Sequence, residues 1–590
     1  MRLSTERDRD EARAIEVLHA AFDAGITLVD TADAYCWDDG ETGHNERLIA
    51  QALATWGGDR SRILVATKGG LTRPDGRWAP DGRANHLRAA CEASRRALGV
   101  ERIALYQLHA VDPRTPLATS VRALASLQRD GLVDKIGLCN VTVGQIDEAR
   151  RLADITSVQV ELSFWNDDNI LSGVVEYCAA NGIRLLAYRP LGGVKRARRA
   201  LNDHVLVEVA QRHGATPHEI AIAALTTLSD VIVPIPGATR VETARSIVRA
   251  QAIVVTERDR GELAARFPTF QIGGGHTGPP LHDARDAGAV AVPAQPRRAG
   301  EIVMVMGLPG AGKTTAAQAL TAQGYVRLNR DEDGGSLRGL VPELTRLVES
   351  GQTRIVLDNT YVSRKSRTPV VRAAETLGLP VRCMWLSTNM EDAQVNAVSR
   401  MLSKYGRLLA PDEMRRIVKH DVNAFGPAVQ FRYQRDLEPP QPSEGFSRVD
   451  VVPFARARDA SFTNRAVIVW FDRLEIADAD ADVLRRYARD GWHVLGLSWQ
   501  PDVGDDEAAA REVDASVARL RERLGIAFDL RYCPHSAGPP VCWCRKPLPG
   551  MAVALVLQYR LDPSQCLYVG AGPQDPGFAR RLGFIFRTSL

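Results

Sequence analysis

The chain has 590 residues, with 75 Lys and Arg against 71 Asp and Glu for a net charge of +4, and 45% of it is hydrophobic and 25% charged. At roughly 100–200 residues per domain, that length implies three or four domains. The near-balanced charge supplies no overall basic field, so any nucleic-acid surface is local. The composition excludes wholesale disorder and the collagen-like and disulfide-scaffold classes, and no apolar run is long enough for a transmembrane helix. The N-terminal MRLSTERDRDE is charged and lacks the apolar region of a signal peptide. Of the nine cysteines, three crowd between 533 and 544, which suits a cytoplasmic protein with one metal cluster and no membrane association.

Composition divides the chain. A Gly-, Pro- and Ala-rich stretch without apolar period makes 273–300 a linker. A softer break at 437–464 separates 301–455 from 462–590, and 1–272 forms the first segment. Each segment is large enough to bury its own core.

In the first segment, β-branched runs (ITLVDTAD, ILVATKGG, ALYQLHA, KIGLCN, SVQVELS, RLLAYRP and VIVPIPG) alternate with amphipathic helical stretches. Strand, helix, strand without hairpins predicts parallel pairing and a (β/α)8-type barrel within an α/β protein. Asp30, Lys68, His109, Asn140 and Gln159 fall at the C-terminal strand ends, the rim where such barrels place their chemistry.

The run of DTADAY, GHNE, ATKGG, LH, GLCN, SVQ, AYRPLGG and PIPGA resembles the aldo-keto reductase family in order and spacing. The resemblance implies a catalytic tetrad of Asp30, Tyr35, Lys68 and His109. Tyr35 would protonate a carbonyl oxygen, Lys68 fixed by Asp30 would lower its pKa, and His109 would orient the substrate. It also implies that Asn140 and Gln159 hold a nicotinamide carboxamide, that Tyr188 stacks on its ring, and that Arg240 meets the 2′-phosphate of NADP(H). Departures from the family pattern predict weak NADP(H) binding or a scaffold role. Only about ten residues precede the helix beginning near Asp10, seven strands are counted where eight are usual, Cys139 replaces a Ser, and Ser246 and Ile247 replace Glu-Asn. Either the barrel is open between its first and last strands or the start site lies upstream.

The second segment opens with an apolar strand running into GLPGAGKTT. Gly307, Gly310 and Gly312 let backbone N–H groups wrap phosphates, Lys313 reaches the β- and γ-phosphates of ATP, and Thr314, followed by Thr315, holds Mg2+. A second strand ends in Asn329, Arg330 and Asp331; a third ends in Asp358, Asn359 and Thr360, with Arg364 and Arg367 following. A basic helical stretch supplies Arg400, Lys404 and Arg407 as a lid. Residues 301–454 resemble the kinase domain of polynucleotide kinases. By that resemblance Asp331 is the general base for the 5′-hydroxyl of an RNA or DNA end, Lys313 and Arg400 stabilise the transition state, and Arg330 and Asp358 with Arg364 or Arg367 position the acceptor. A small-molecule acceptor remains the alternative.

In the third segment, strands end in Asp472 and Ser498, and CRKPLPGM supplies Lys546. This order resembles the haloacid dehalogenase (HAD) phosphatases, in which Asp472 would be the nucleophile and Ser498 and Lys546 would hold phosphate. Leu474 stands at the acid/base position and Ala571 at a late carboxylate position, so an absent or impaired phosphatase is expected. Cys533, His535, Cys542 and Cys544 give a CxH…CxC set suited to structural Zn2+, as in the heptose-bisphosphate phosphatases. The remaining cysteines read as core. Together the segments point to an ATP-dependent 5′-hydroxyl polynucleotide kinase fused to a reductase-like barrel. The alternatives are an NADP-dependent carbonyl reductase with an auxiliary kinase, or an NADP(H)-sensing regulator of end repair. The sequence leaves the oligomeric state open.

Overall fold

Each amphipathic helix of the first unit returns the chain to start a strand parallel to the one before it. The computed structural model describes residues 1–270 and 298–590, apart from 419, 457, 458, 502, 505 and 537–541. The linker expected at 273–300 therefore lies, but for 298–300, outside the described residues. The chain groups into two compact units, 1–287 and 288–590.

In the first unit the strands of the main sheet are β1 (Leu28–Asp30), β2 (Leu64–Gly69), β3 (Ile103–Leu108), β4 (Val133–Cys139), β5 (Ile155–Glu161), β6 (Arg184–Tyr188) and β7 (Ile232–Ile235). They form one parallel sheet in sequential order. This sheet has seven strands among the described residues, as the sequence predicts, and β1 and β7 are not paired to each other; Leu71–Thr72 and Ala79–Pro80 form a separate antiparallel pair. The sheet is therefore a nearly closed barrel. The gap is bridged one layer out, where the helix Glu11–Asp23 packs on the helix Val241–Gln251 and Arg13 donates to the Thr239 carbonyl at 3.1 Å. Ala66, Leu105 and Leu186 fill the barrel interior, and a larger core lies between strands and helices. Gly137 is required where β4 passes β5, because a Cβ there would come within 2.3 Å of the Ser157 hydroxyl.

The second unit holds two five-stranded parallel sheets. The first comprises β8 (Glu301–Gly307), β9 (Val326–Leu328), β10 (Arg354–Asp358), β11 (Val381–Leu386) and β12 (Arg448–Val452) in the order β9-β10-β8-β11-β12. The second comprises β13 (Ala466–Phe471), β14 (His493–Trp499), β15 (Phe528–Cys533), β16 (Leu567–Val569) and β17 (Ile585–Arg587) in the order β15-β14-β13-β16-β17. Both β8 and β13 are central and almost wholly buried, which is why they read as continuous apolar runs.

The break at 437–464 does not separate two independently packed bodies. Val395, Val398 and Met401 of the helix Met390–Tyr405 share one apolar cluster with Trp543, Met551, Leu555 and Phe578 from beyond the break. Among the described residues no helix is long and apolar enough to cross a membrane.

Candidate functional site

The barrel rim gathers the expected residues. Asp30 ends β1, Lys68 lies near the end of β2, His109 and Asn140 directly follow β3 and β4, Gln159 lies in β5 and Tyr188 ends β6. The Lys68 side chain is fully buried and donates to Asp30 at 2.6 Å, to the Thr31 carbonyl at 2.7 Å and to the Tyr35 hydroxyl at 3.2 Å. The Tyr35 and His109 rings meet edge to face at 5.5 Å. Burial alone pulls the Lys68 ammonium down, but the Asp30 carboxylate, aided by Tyr35 and Cys139, leaves its pKa raised. Burial and the Lys68 charge push His109 well down, so its imidazole is neutral. Tyr35 departs from expectation. Lys68 does pull its pKa down, yet burial outweighs that pull and the phenol is raised to about 12.

Other groups complete the mouth. Gln159 and Gln107 donate to Asp30 Oδ1 at 2.8 and 3.4 Å, so the Gln159 amide serves the tetrad in this state. Asn140, held at a φ of 56°, donates to the His109 carbonyl and accepts from the Tyr188 hydroxyl at 2.9 Å. Arg240 is exposed at the N-cap of the helix Val241–Gln251. Ser246, where the family pattern has an acid, donates to Glu219 at 2.8 Å. Trp78 stands edge-on to both Tyr35 and His109 and carries the Arg73 guanidinium 4.1 Å over its ring. Trp78 was not found from the sequence; the available signal was a tryptophan within the polar stretch TRPDGRWAP after β2, and it is 46% exposed.

The phosphate loop follows β8. Gly307, Gly310 and Gly312 all have positive φ. A Cβ on Gly310 would lie 2.3 Å from the Ala393 carbonyl, so the loop and the helix Met390–Tyr405 touch only because that residue is glycine. Lys313 folds back to donate to the Gly307 and Leu308 carbonyls at 3.0 Å, and Thr314 and Thr315 lie exposed in the first turn of the helix Lys313–Thr321. Burial lowers Lys313 to about 8; Asp358 and Asp331 oppose the shift and Arg400 adds to it. Asp331 pairs with Arg330 at 2.6 Å, and Asn329 spans the two strand ends by accepting from the Asp331 N–H and donating to the Asp358 carbonyl. Asp358 is paired with Arg327, a residue sequence reading passed over.

The expectations for the arginines divide. Arg364 opens the helix Arg364–Leu377. Arg367 cannot position an acceptor: its side chain is fully buried, bidentate to Glu444 at 2.7 Å and bonded to the Tyr361 and Glu438 carbonyls. Of the lid cations, Lys404 is paired with Asp421 and Arg407 with Glu413, whereas Arg400 lies over the Phe425 ring.

In the last sheet, Asp472 is exposed at the end of β13 and accepts from the Trp470 indole. The Ser498 hydroxyl is buried against the Phe471 carbonyl at 2.7 Å. Lys546 reaches Asp575 at 2.6 Å. Asp575 is fully buried and also accepts from Tyr568 and the Gly572 N–H. Leu474 packs into the neighbouring core. Cys533, His535, Cys542 and Cys544 bring one ligand atom each within 4.8 Å of one another. Cys36, Cys91, Cys178, Cys383 and Cys566 are buried, as expected, and Cys139 is buried too; all six are unbridged.

Residues 1–265 match the aldo/keto reductase family model, and residues 302–416 match the AAA domain model. A probable aldo-keto reductase 1 of Glycine max is 32% identical over 295 residues, spanning 45% of this chain and 82% of that protein. Among solved structures, the thermostable aldo-keto reductase Tm1743 with the inhibitor epalrestat is 29% identical, covering 44% of this chain and 89% of its own at a TM-score of 0.39. An aldo/keto reductase of Klebsiella pneumoniae in complex with NADP and acetate is 23% identical, with coverages of 47% and 88% and the same TM-score. With a P-loop domain following its barrel, the chain belongs, through residues 1–265, to the aldo/keto reductase family.

Proposed function

We propose that the barrel reduces a carbonyl compound with NADP(H), and that the second unit transfers the γ-phosphoryl group of ATP to a 5′-hydroxyl end of RNA or DNA. The observation that carries the first reading is the Lys68 ammonium, buried and bonded to both Asp30 and Tyr35. NADPH, when bound, supplies a hydride to the carbonyl carbon. Tyr35 O–H gives its proton to the carbonyl oxygen, leaving a phenolate beside Lys68, and neutral His109 offers the substrate a hydrogen bond without a competing charge. The Asn140 and Gln159 amides and the Tyr188 ring at one rim fit a nicotinamide, and Arg240 at a helix N-cap fits a 2′-phosphate. Carbonyl-dependent NADPH oxidation is expected, and Tyr35→Phe should lower kcat by about 10²–10⁴-fold. Failure of the parent to bind NADPH or oxidise it with any of a panel of aldehydes and ketones would leave the scaffold role in its place.

The glycine loop closed by Lys313, with Asn329 joining the strand ends that carry Asp331 and Asp358, favours the second reading. Thr314 would hold Mg2+. Asp331 takes the acceptor proton as the hydroxyl oxygen attacks the γ-phosphorus and ADP leaves. Labelled phosphate should pass from ATP to 5′-OH oligonucleotides, weaken with salt through counterion release, and vanish in Lys313→Ala. Transfer to neither RNA nor DNA would favour a small-molecule acceptor. The final sheet is read as a HAD-like domain without effective phosphatase activity: Leu474 carries no proton, and Asp575 is already committed to Lys546 and Tyr568. Rapid hydrolysis of a 3′-phosphate oligonucleotide would contradict this.

The CxH…CxC set is read as a structural Zn2+ site. Tetrahedral thiolates about 2.3 Å from zinc lie about 3.8 Å apart, and Cys533 and Cys542 are 3.8 Å apart, with Cys544 and His535 3.2–3.4 Å from their neighbours. The unbridged cysteines suit a cytoplasmic location.

A further inference from the structure

The helix Met390–Tyr405 has two working faces. One rests on the phosphate loop: Asn396 donates to the Gly310 carbonyl at 2.9 Å, and the Ala393 carbonyl occupies the space a Gly310 side chain would need. The other packs on the helices Gly550–Tyr559 and Asp575–Leu582 of the last sheet, where Arg581 donates to the buried Gln394. Arg400, near its C-terminal end, is the lid cation without a carboxylate pair among the described residues; its guanidinium stands 6.0 Å over the Phe425 ring.

Phe425 is not held by its own loop alone. Its carbonyl accepts from the Trp543 indole N–H at 2.9 Å, and the two rings meet edge to face at 6.2 Å. Trp543 is 1% exposed and Phe425 5%. Trp543 lies between Cys542 and Cys544, two of the four residues of the ligand set, and its own carbonyl accepts from the Gly550 N–H at 2.9 Å. A Cβ on Gly550 would fall 2.5 Å from that carbonyl, so Trp543 is seated tightly against the helix that packs on the lid.

We infer that Trp543 is a positioning residue for phosphoryl transfer: the helix Gly550–Tyr559 seats Trp543, Trp543 fixes Phe425, and Phe425 supports Arg400, one turn from Asn396 on the helix that rests on the phosphate loop. This rests on the phosphotransferase reading of the P-loop, and it gives the last sheet a function that needs no phosphatase chemistry. A transition-state cation is worth far more when its position is fixed before reaction than when it must be ordered during it.

The test uses the full chain. Trp543→Phe keeps the ring and removes the donor; Phe425→Leu removes the ring beneath Arg400. Each should lower kcat for 5′-OH oligonucleotide phosphorylation about tenfold with little change in the KM for ATP, whereas Arg400→Ala should lower it about 10³-fold. Each should also weaken binding of ADP–aluminium fluoride with Mg2+, a mimic of the transferring phosphoryl group, by about tenfold while leaving ADP affinity unchanged. In an Arg400→Ala background neither substitution should have a further effect, since coupled residues are non-additive. Independent, multiplying effects, or unmoved analogue affinity, would overturn the proposal. A parent that binds the analogue but phosphorylates no oligonucleotide would sink the acceptor reading alone, because analogue affinity still tests Trp543. If Trp543→Phe does not fold, Phe425→Leu carries the same test, and a parent that binds no nucleotide would overturn both.

Discussion

Asp30→Asn would separate a catalytic pair from a structural one. The substitution keeps the side-chain shape but removes the carboxylate 2.6 Å from Lys68 Nζ, leaving the buried ammonium with the Thr31 carbonyl and the Tyr35 hydroxyl. Two charges at that 2.6 Å separation attract by about 6 kcal/mol at an effective dielectric of about 20. After desolvation, breaking a buried pair on one side costs about 3–5 kcal/mol. The pH dependence carries the sharper test. In the parent the Lys68 pKa is raised in the folded state, so its contribution persists through neutral and mildly alkaline pH and is lost only as pH rises through that folded value. In the variant, burial is no longer opposed by Asp30, and folded Lys68 loses its proton below the unfolded value of about 10.4. The folded variant then binds fewer protons than the unfolded chain, so its stability climbs with pH and the deficit shrinks between about pH 7 and about pH 10. Hydrogen exchange of the β1 and β2 amides, followed by mass spectrometry at both ends of that range and corrected for intrinsic rates, reads this within the barrel alone. A deficit equal at both pH values, or one not relieved by adding Lys68→Met, would refute the assignment of Asp30 as the group that keeps Lys68 charged.

Arg367→Met strands Glu444, whose side chain is 3% exposed, and should cost about 3–5 kcal/mol, lowering the melting temperature on the order of 10 °C while the folded fraction keeps the parent's KM for the oligonucleotide. A raised KM at unchanged stability would return Arg367 to the acceptor site. Because Lys313 sits at about 8 without nucleotide and a triphosphate raises it, ATP binding above about pH 8 should take up a proton. Calorimetry in buffers of different ionisation heat detects that uptake, and its survival in Lys313→Met would refute the assignment. A chelator, or Cys542→Ser, should lower the melting temperature of the second unit; unchanged melting would argue against a structural metal at Cys533, His535, Cys542 and Cys544.

What the sequence shows best is whatever depends on neighbours along the chain. β-Branched apolar runs closed by a polar residue predict strand ends, and in a parallel barrel those ends share one rim, so Asp30, Lys68, His109 and Asn140 were legible as a group. The phosphate loop was legible for the same reason, since its glycines, Lys313 and Thr314 act within one turn. Arg367 shows the converse. In RKSRT it resembles any basic helix position, and only its partner Glu444, 77 residues later, makes it a core ion pair. Asp575 is likewise defined by Lys546, 29 residues earlier, and by the Tyr568 hydroxyl.

The sign of the Tyr35 shift marks a different limit. The residue types name an electrostatic partner, Lys68, that lowers the phenol's pKa, but they carry no measure of how far burial opposes it, and here burial prevails. The same blindness affected the boundary at 437–464. Composition registers a loop rich in Pro and Gly, but not that the helix on one side of it buries Val398 and Met401 against Trp543 and Met551 on the other. A helix that must satisfy a phosphate loop on one face and a second sheet on the opposite face is hydrophobic over more of its circumference than a surface helix, and MEDAQVNAVSRMLSKY shows it. Its Met390, Ala393, Val395, Ala397, Val398 and Met401 are all buried, a spread wider than one stripe. That breadth was the available sign that 301–455 and 462–590 pack against each other, and it ties Arg400 to the last sheet on physical grounds independent of any catalytic role for that sheet.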